Sequence, residues 1–519
     1  MSPEYLSPGV YVEEVDKGTK PIEGAGTACA AFVGFAEEGP VNQPTFVPNW
    51  TEFVNNFGGF IKGGYLAQAV YGYFQNGGGR CYVTRLPGGE AEPAEPKAVA
   101  ALPSHAQPSI ESLTITALEA GTAGAEISVE VAKPSGEDVS EDQFNLTVRR
   151  GATEEVFENL SFSKAKGARN VVDVVNKQSK LIQVAEKEAA LSMAERAPSP
   201  GQYALAVGEV KATALAPISS GEIVGDAAER TGLSGFEIAD DVTMLCCPDL
   251  MALYQGGAIS MEGVKAVQLA MIAHCENMKD RFAILDCPPG LSPQQIKDWR
   301  MTETGYDTKY GALYYPWIRV ANPLGNGESI VVPPCGYMAG IYARSDTERG
   351  VHKAPANEVI RGAMGVETLI TKSEQDILNP IGINCIRTFP GRGIRVWGAR
   401  TLSSDASWRY INVRRLFNFV EKSIQMGTQW IVFEPNDPDL WARIRRDIGA
   451  FLTNVWRTGA LFGATPAQAF YVKCDEETNP PEVRDLGQVI IEIGLAPSKP
   501  AEFVIFRISQ WASGSETSE

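Results

Sequence analysis

Asp286 closes the apolar run ILDCPPG (284–290), at the end of a strand where a nucleotide hydrolase would hold magnesium. That chemistry also needs an upstream GxxxxGKS/T loop to cradle phosphates. The chain has none, so Asp286 reads as a structural carboxylate. GRGIRVWG (391–398) lacks the third-glycine spacing of a dinucleotide loop and opens no clear helix; it reads as a turn before a strand. His274, Cys275 and Cys287 could approach a metal ion, but a structural zinc takes about four ligands, usually in closely spaced pairs. Cys246 and Cys247 sit just after a buried-strand pattern and read as core. With only His105, His274 and His352 and no GxSxG, candidates for a general base or a triad are few. These residues point to no catalytic residue, no cofactor and no metal.

The elements around them describe a large globular chain. Its 519 residues suffice for roughly three or four domains of about 150 residues, and a 44% hydrophobic content supports filled cores. The N-terminus lacks the basic run and apolar core of a signal peptide. No apolar stretch approaches the ~20 residues that span a bilayer. The expectation is synthesis and folding in the cytoplasm without membrane insertion, and nine cysteines without a CxxC pair read as buried, reduced thiols. The net charge of −17 argues against direct nucleic-acid binding. It also hides an asymmetry: residues 88–230 carry 22 acids against 13 bases, and residues 381–470 carry 12 bases, eleven of them arginines, against 6 acids.

Texture predicts an α/β and α+β multidomain fold. TACAAFVGF, the helix LAQAVYGYFQ (66–75) and the strand RCYVTRL (80–86) open an α/β domain. GGEAEPAEPKAVAALPSHAQP reads as a linker into a mainly-β inserted module. SLTITALE, AEISVEVAK, FNLTVRRG and EEVFENLSFS alternate as strands there, and ARNVVDVVNKQSKLIQVA reads as a helix. From DDVTMLCCPD an α/β rhythm resumes, with a helix over 257–279, the strand RFAILDCP, a helix from about 293 and the strand YGALYYPWIRV; the alternation predicts a mainly parallel or mixed sheet. Two long helical segments follow, WRYINVRRLFNFVEKSIQMG and DPDLWARIRRDIGAFLTNVWRTG, the second with Asp437-Pro438 as its N-terminal cap. The strands GQVIIEIGLAP and PAEFVIFRISQW close the chain.

SPGVYVEEV (7–15) has strand character but no partner within hairpin distance. In PAEFVIFRISQW nearly every position is apolar, as in a strand covered on both faces.

Taken in order, SPGVYVEEV, AAFVGFAEEGP, FVNNFGGF, YFQNGGGRCYVTRL, ALYYPWIRV, VVPPCGYMAGIYARSDTERGVHKAPAN, LNPIGINCIRTF, VWGARTLSSDASWRYINVRRL and QWIVFEPNDPDLW resemble the tail sheath proteins of contractile phage tails and of related extracellular contractile injection systems. The match runs nearly end to end and is most specific over 333–357 and 379–416. Over the insertion it is looser, through ITALEAGTAG and EEVFENLSFS. The resemblance implies a structural subunit that stacks as hexameric rings in a helical lattice around an inner tube. The lattice shortens once, without nucleotide, to drive the tube through a target envelope. A single chain with both ends fits an injection particle, or alternatively the tail of a phage or prophage, better than the type VI sheath, which divides the role between two chains. Implied partners are copies of itself, the inner tube protein, and baseplate and terminal cap proteins. After assembly in the cytoplasm the chain would belong to a phage tail or tail-like particle. A cytoplasmic α/β enzyme and another tail component remain as rival classes; tube proteins are much shorter.

The same resemblance implies an N-terminal strand-exchange arm over 1–20, a middle α/β domain over 21–87 and 231–345, an inserted outer domain over 88–230, and a C-terminal tube-proximal domain with a strand arm over 346–519. Val10, Tyr11, Val12 and Glu13 would add a strand to a neighbouring subunit, as would Phe503, Val504, Ile505 and Phe506. Either arm could instead complete its own chain's sheet. Arg443, Arg445 and Arg446 would face the tube, or else pair within the chain with Asp437, Asp439 and Asp447. Arg414 and Arg415 would be buried within or between subunits.

Overall fold

The computed structural model describes residues 21–88, 97–108, 110–120, 122–134, 140, 142–151, 153–163, 168–187, 192, 195–207, 218–325 and 327–507. Val10, Tyr11, Val12 and Glu13 lie outside them. Contacts divide the chain into two compact units, Met1–Gly89 with Pro217–Glu519, and Glu90–Ala216.

The larger unit is organised by an eight-stranded mixed sheet. Its order is Gly393–Val396, Ile383–Phe389, Gly311–Tyr315, Phe282–Asp286, Met244–Cys246, Cys29–Gly34, Arg80–Arg85 and Thr45–Val47. The inner pairings are parallel and both edge pairings are antiparallel. CAAFVG, MLC, FAILD and GALYY are buried at every position, which is why they read as unbroken apolar runs: helices cover a parallel sheet on both faces. The helices Leu66–Gln75 and Cys335–Arg349 cross in unusually close contact. A methyl group on Gly336 would lie 2.3 Å from the Ala69 carbonyl oxygen, and one on Gly340 would lie 2.5 Å from that of Tyr73. Only glycine permits this approach. Tyr314 and Tyr342 join hydroxyls at 2.7 Å in the same core.

YGALYYPWIRV does not form one strand. Gly311–Tyr315 stays in the central sheet, while Ile318–Ala321 joins a separate three-stranded sheet with Ser329–Val332 and Ala363–Val366. Pro316, between the two, has no N–H to continue a ladder. The boundary expected at 345/346 falls inside the helix Cys335–Arg349, and the sheet continues to Val396.

A second core in this unit lies between the helices Ile411–Gly427 and Pro438–Arg457 and the hairpin Phe470–Lys473 with Glu492–Leu495. Asp437 caps the second helix by accepting from Leu440 N at 2.8 Å, with Pro438 in its first turn. Leu440, Ile444, Ile448 and Leu452 face inward at helical spacing, which leaves Arg443, Arg445 and Arg446 on the outer face.

The unit Glu90–Ala216 contains two four-stranded sheets whose pairings are all antiparallel, enclosing a core that includes Leu113, Ile115, Leu146 and Val148. Two readings are corrected here. Part of the supposed linker is the strand Lys97–Pro103, whose Ala98, Ala100 and Leu102 are buried at period two. The helix read over ARNVVDVVNKQSKLIQVA ends at Gln178. Ile182–Glu186 is a strand paired with Glu111–Ala120, with Ile182 and Val184 inward at period two. The helix Ser220–Val224 belongs to the larger unit, with Ile223 fully buried, so that unit resumes well before residue 230.

Candidate functional site

The most exposed apolar run lies near the C-terminus. Beyond the hairpin, Ser498 N donates to the Ala460 carbonyl at 3.0 Å, and residues 501–507 form no regular element. Phe503, Val504, Ile505 and Phe506 are 71%, 70%, 79% and 81% exposed. The expected strand is therefore absent from the described part of PAEFVIFRISQW. A strand exists only with a ladder partner, and no strand among the described residues borders this run. Exposing four large apolar side chains in a row forfeits about 1.5–3 kcal/mol apiece relative to burial, so the run is suited to being covered by a further strand or surface. The hairpin Phe470–Lys473 with Glu492–Leu495 is a two-stranded sheet, and such sheets are marginal until further strands join.

The arginine face is the second feature. Each of its members already has an intrachain contact. Arg443 pairs with Glu434 at 3.3 Å and lies over the Trp430 ring, Arg446 pairs with Asp447 at 2.9 Å, and Arg445 donates to the Cys474 carbonyl. Of the acids named from sequence, only Asp447 pairs with this group, while Asp437 serves as the helix cap. These ion pairs are about half exposed on the arginine side and contribute ~0–1 kcal/mol, so the guanidinium groups remain available to a partner. Phe433, at the entry to this helix, was not singled out from sequence. It is fully exposed and holds φ at +70°, a region that non-glycine residues rarely occupy. Val432 beside it is 60% exposed. Arg414 and Arg415 are buried within the chain. Arg415 bonds Asp346 at 2.6 Å, and Arg414 sits among the rings of Tyr310, Trp408 and Phe417.

The residues considered for catalysis have structural surroundings. Asp286 is buried and accepts from Cys335 N at 2.9 Å, capping a helix whose own N-cap residue, Pro334, offers no side-chain bond. Asp249, which sequence reading missed, plays a similar part: it accepts from Phe35 N at 2.6 Å and from Tyr65 N, tying a strand end to a helix start. Burial pushes both carboxyls up to about 7. His274 lies 3.2 Å from the Arg281 guanidinium, and burial together with that charge lowers it to about 4. Cys246, Cys247, Cys275 and Cys287 are buried and free. Among the described residues no group of three or more His, Cys, Asp or Glu is placed to hold a metal, and no helix is long and apolar enough to cross a membrane. GRGIRVWG forms the turn and second strand of a hairpin. A cleft of about 350 Å³ is lined by charges that are already paired, Arg80 with Asp241 and Lys422 with Asp280.

The capping role of Asp286 has a pH signature. Its folded-state value stands above its ordinary 3.8, so the stability tied to the neutral carboxyl is lost as pH rises through about 7. Asn at 286 keeps an acceptor for Cys335 N without the charge. Between pH 5.5 and pH 8.5, Asp286→Asn is expected to gain about 2 kcal/mol on the parent chain in urea unfolding. Parallel pH profiles for the two proteins would contradict this.

Comparison with known proteins gives the fold and the family. The fold is that of contractile sheath subunits: the chain superposes on the contracted sheath of an extracellular contractile injection system, PVC, with TM-score 0.58, 23% identity, and coverage of 98% of this chain and 99% of that one. It superposes on the contracted helical sheath of the anti-feeding prophage (AFP) with TM-score 0.59, 24% identity, and coverage of 97% and 99%. Residues 239–402 match the family model of the phage tail sheath protein central domain, and residues 403–510 that of the phage tail sheath C-terminal domain. The tail sheath protein of Burkholderia phage BcepMu is 24% identical over 97% of this chain and 96% of its own length. That of Vibrio phage KVP40 is 30% identical over 46% of this chain, a match spanning only 38% of the phage protein. The chain belongs to the contractile tail sheath family.

Proposed function

We propose that this chain is the structural subunit of a contractile sheath. It polymerises as stacked hexameric rings around an inner tube and contracts to drive that tube through a target envelope. The assignment to an extracellular contractile injection system is favoured by the superposition on the PVC and AFP sheaths along nearly the whole chain. A phage or prophage tail is the second reading, and the BcepMu relative, aligned over almost its full length, favours it. The observation that carries the proposal is the exposed run Phe503, Val504, Ile505 and Phe506, a strand sequence without a strand partner among the described residues. In a sheath the missing partner is a neighbouring subunit's sheet, reached by strand addition. Val10, Tyr11, Val12 and Glu13 are assigned the same role at the other terminus. Arg443, Arg445 and Arg446 are assigned to the tube, with baseplate and terminal cap proteins as partners at the sheath ends. No catalytic step is assigned to the chain; the work of contraction is stored in the extended lattice. Co-expression with the cognate tube protein, followed by sedimentation and electron microscopy, tests the reading. Long striated polymers enclosing a tube are expected, and a chain that stays monomeric with its tube present would refute it.

The acidic unit Glu90–Ala216 is assigned to the solvated exterior of the sheath. It has a core of its own, and closing a short replacement loop costs only a few kcal/mol at most by chain-entropy scaling, roughly 0.6 kcal/mol per doubling of length. Replacing residues 90–216 with a short Gly/Ser linker is expected to give a thinner sheath that still assembles and contracts. The replacement stops at 216 because Ile218 and Ile223 belong to the larger unit's interior. A folded variant that fails to assemble would assign lattice contacts to this unit.

A further inference from the structure

Glu502 stands directly before the exposed run and is held as firmly as the run is free. Arg400 grips both carboxylate oxygens, with Nε donating to Oε1 at 2.9 Å and Nη2 to Oε2 at 2.8 Å. Asn379 Nδ2 donates to Oε1 at 2.8 Å, and Tyr410 Oη donates to Oε2 at 2.9 Å. The Arg400 and Glu502 side chains are only 11% and 18% exposed. A two-point guanidinium–carboxylate contact fixes direction as well as distance. Burial pushes the Glu502 carboxyl up, but the bonds from Arg400, Asn379 and Tyr410 together outweigh it and hold the group below the usual carboxylate range. Arg400 is itself tied to the central sheet. Its N–H donates to Asn384 Oδ1 at 2.7 Å and its carbonyl accepts from Asn384 Nδ2 at 2.8 Å, and Asn384 lies within the strand Ile383–Phe389. One residue further on, Phe503 is 71% exposed.

We propose that Glu502, through Arg400, is a positioning residue that clamps the root of the C-terminal run, so that load carried by the run passes into the central sheet and does not peel the chain back from its own hairpin. This rests on the strand-donation reading of 503–506. Without the clamp, the last firm attachment is at Ser498, where N bonds the Ala460 carbonyl at 3.0 Å and the carbonyl accepts from Asn412 Nδ2 at 3.2 Å. The free segment then lengthens and its docking geometry loosens, lowering the effective concentration at which it meets a neighbour.

The test compares Glu502→Gln, which keeps the side-chain shape and loses the charge, with removal of residues 503–519, both in the otherwise complete chain. For Glu502→Gln the expected result is a melting temperature only slightly lowered, since the contact it loses is local to the chain's end, faster hydrogen exchange at 496–502, and a roughly tenfold higher concentration for half-assembly, the order lost with a charge-assisted bond. If Glu502→Gln assembles like the parent while the deletion does not, the clamp is wrong and strand donation stands. If both assemble like the parent, strand donation fails and the clamp with it. A markedly lower melting temperature for Glu502→Gln would return Glu502 to ordinary fold stability and overturn the proposal.

Discussion

Removing residues 503–519 is expected to abolish stable sheath polymerisation while leaving a folded chain with an unchanged melting temperature. Phe503, Val504, Ile505 and Phe506 are at least 70% exposed and lie beyond the bond from Ser498, so they contribute almost nothing to the subunit's own core. In the lattice the same residues would make several strand hydrogen bonds, each of about 0.5–1.5 kcal/mol net, and would bury their side chains against a neighbour. Repeated at every subunit contact, these terms decide whether a polymer persists. Sedimentation and thermal melting read the two halves of the prediction separately. Loss of residues 1–15 is expected to have the same outcome. A truncated chain that still builds sheaths of full length would remove strand exchange from the account.

Reversing Arg443 and Arg446 to Glu is expected to weaken co-assembly with the tube in the extended state by at least tenfold, while the chain alone still forms contracted-like polymers. Both side chains are about half exposed, so the isolated fold loses only the ~0–1 kcal/mol of pairs such as Arg443 with Glu434. Arg445 is left in place because it donates to the Cys474 carbonyl; its reversal would confound fold with docking. Raising the salt from 0.1 M toward 1 M shortens the screening length from about 10 Å to about 3 Å and is expected to reproduce part of the effect. Unchanged extended assembly would return these arginines to the intrachain roles visible in the structure.

Much of the fold was legible because local pattern and tertiary role agree. FAILD and GALYY are apolar throughout because the sheet is covered on both faces, and Asp437-Pro438 marks a helix start through local capping alone. The misreadings arise where a distant partner decides. LIQVA became a strand because Glu111–Ala120 offers it an edge, and KAVAALP looks like a linker until its small residues are set into a sheet. Gly336 and Gly340 carry no visible signal until the helix Leu66–Gln75 lies across them. The candidate site was partly legible. Phe503 to Phe506 read as a strand from their apolar alternation, yet 501–507 form no regular element, because periodicity cannot supply the ladder partner that a strand needs. The Glu502 to Arg400 contact joins residues 102 apart, and Phe433 looks like an ordinary core residue until its exposure is seen.

The account's central claim is that this subunit completes its sheets with its neighbours and does so in a lattice of two lengths. Electron cryomicroscopy of sheaths assembled from this chain on its tube, imaged before and after triggering, tests it most directly. The expected result is two diameters, with residues 503–506 hydrogen-bonded as a strand to another subunit's hairpin Phe470–Lys473 and Glu492–Leu495 in both. A single diameter under all conditions, or a C-terminal run folded onto its own subunit, would contradict it.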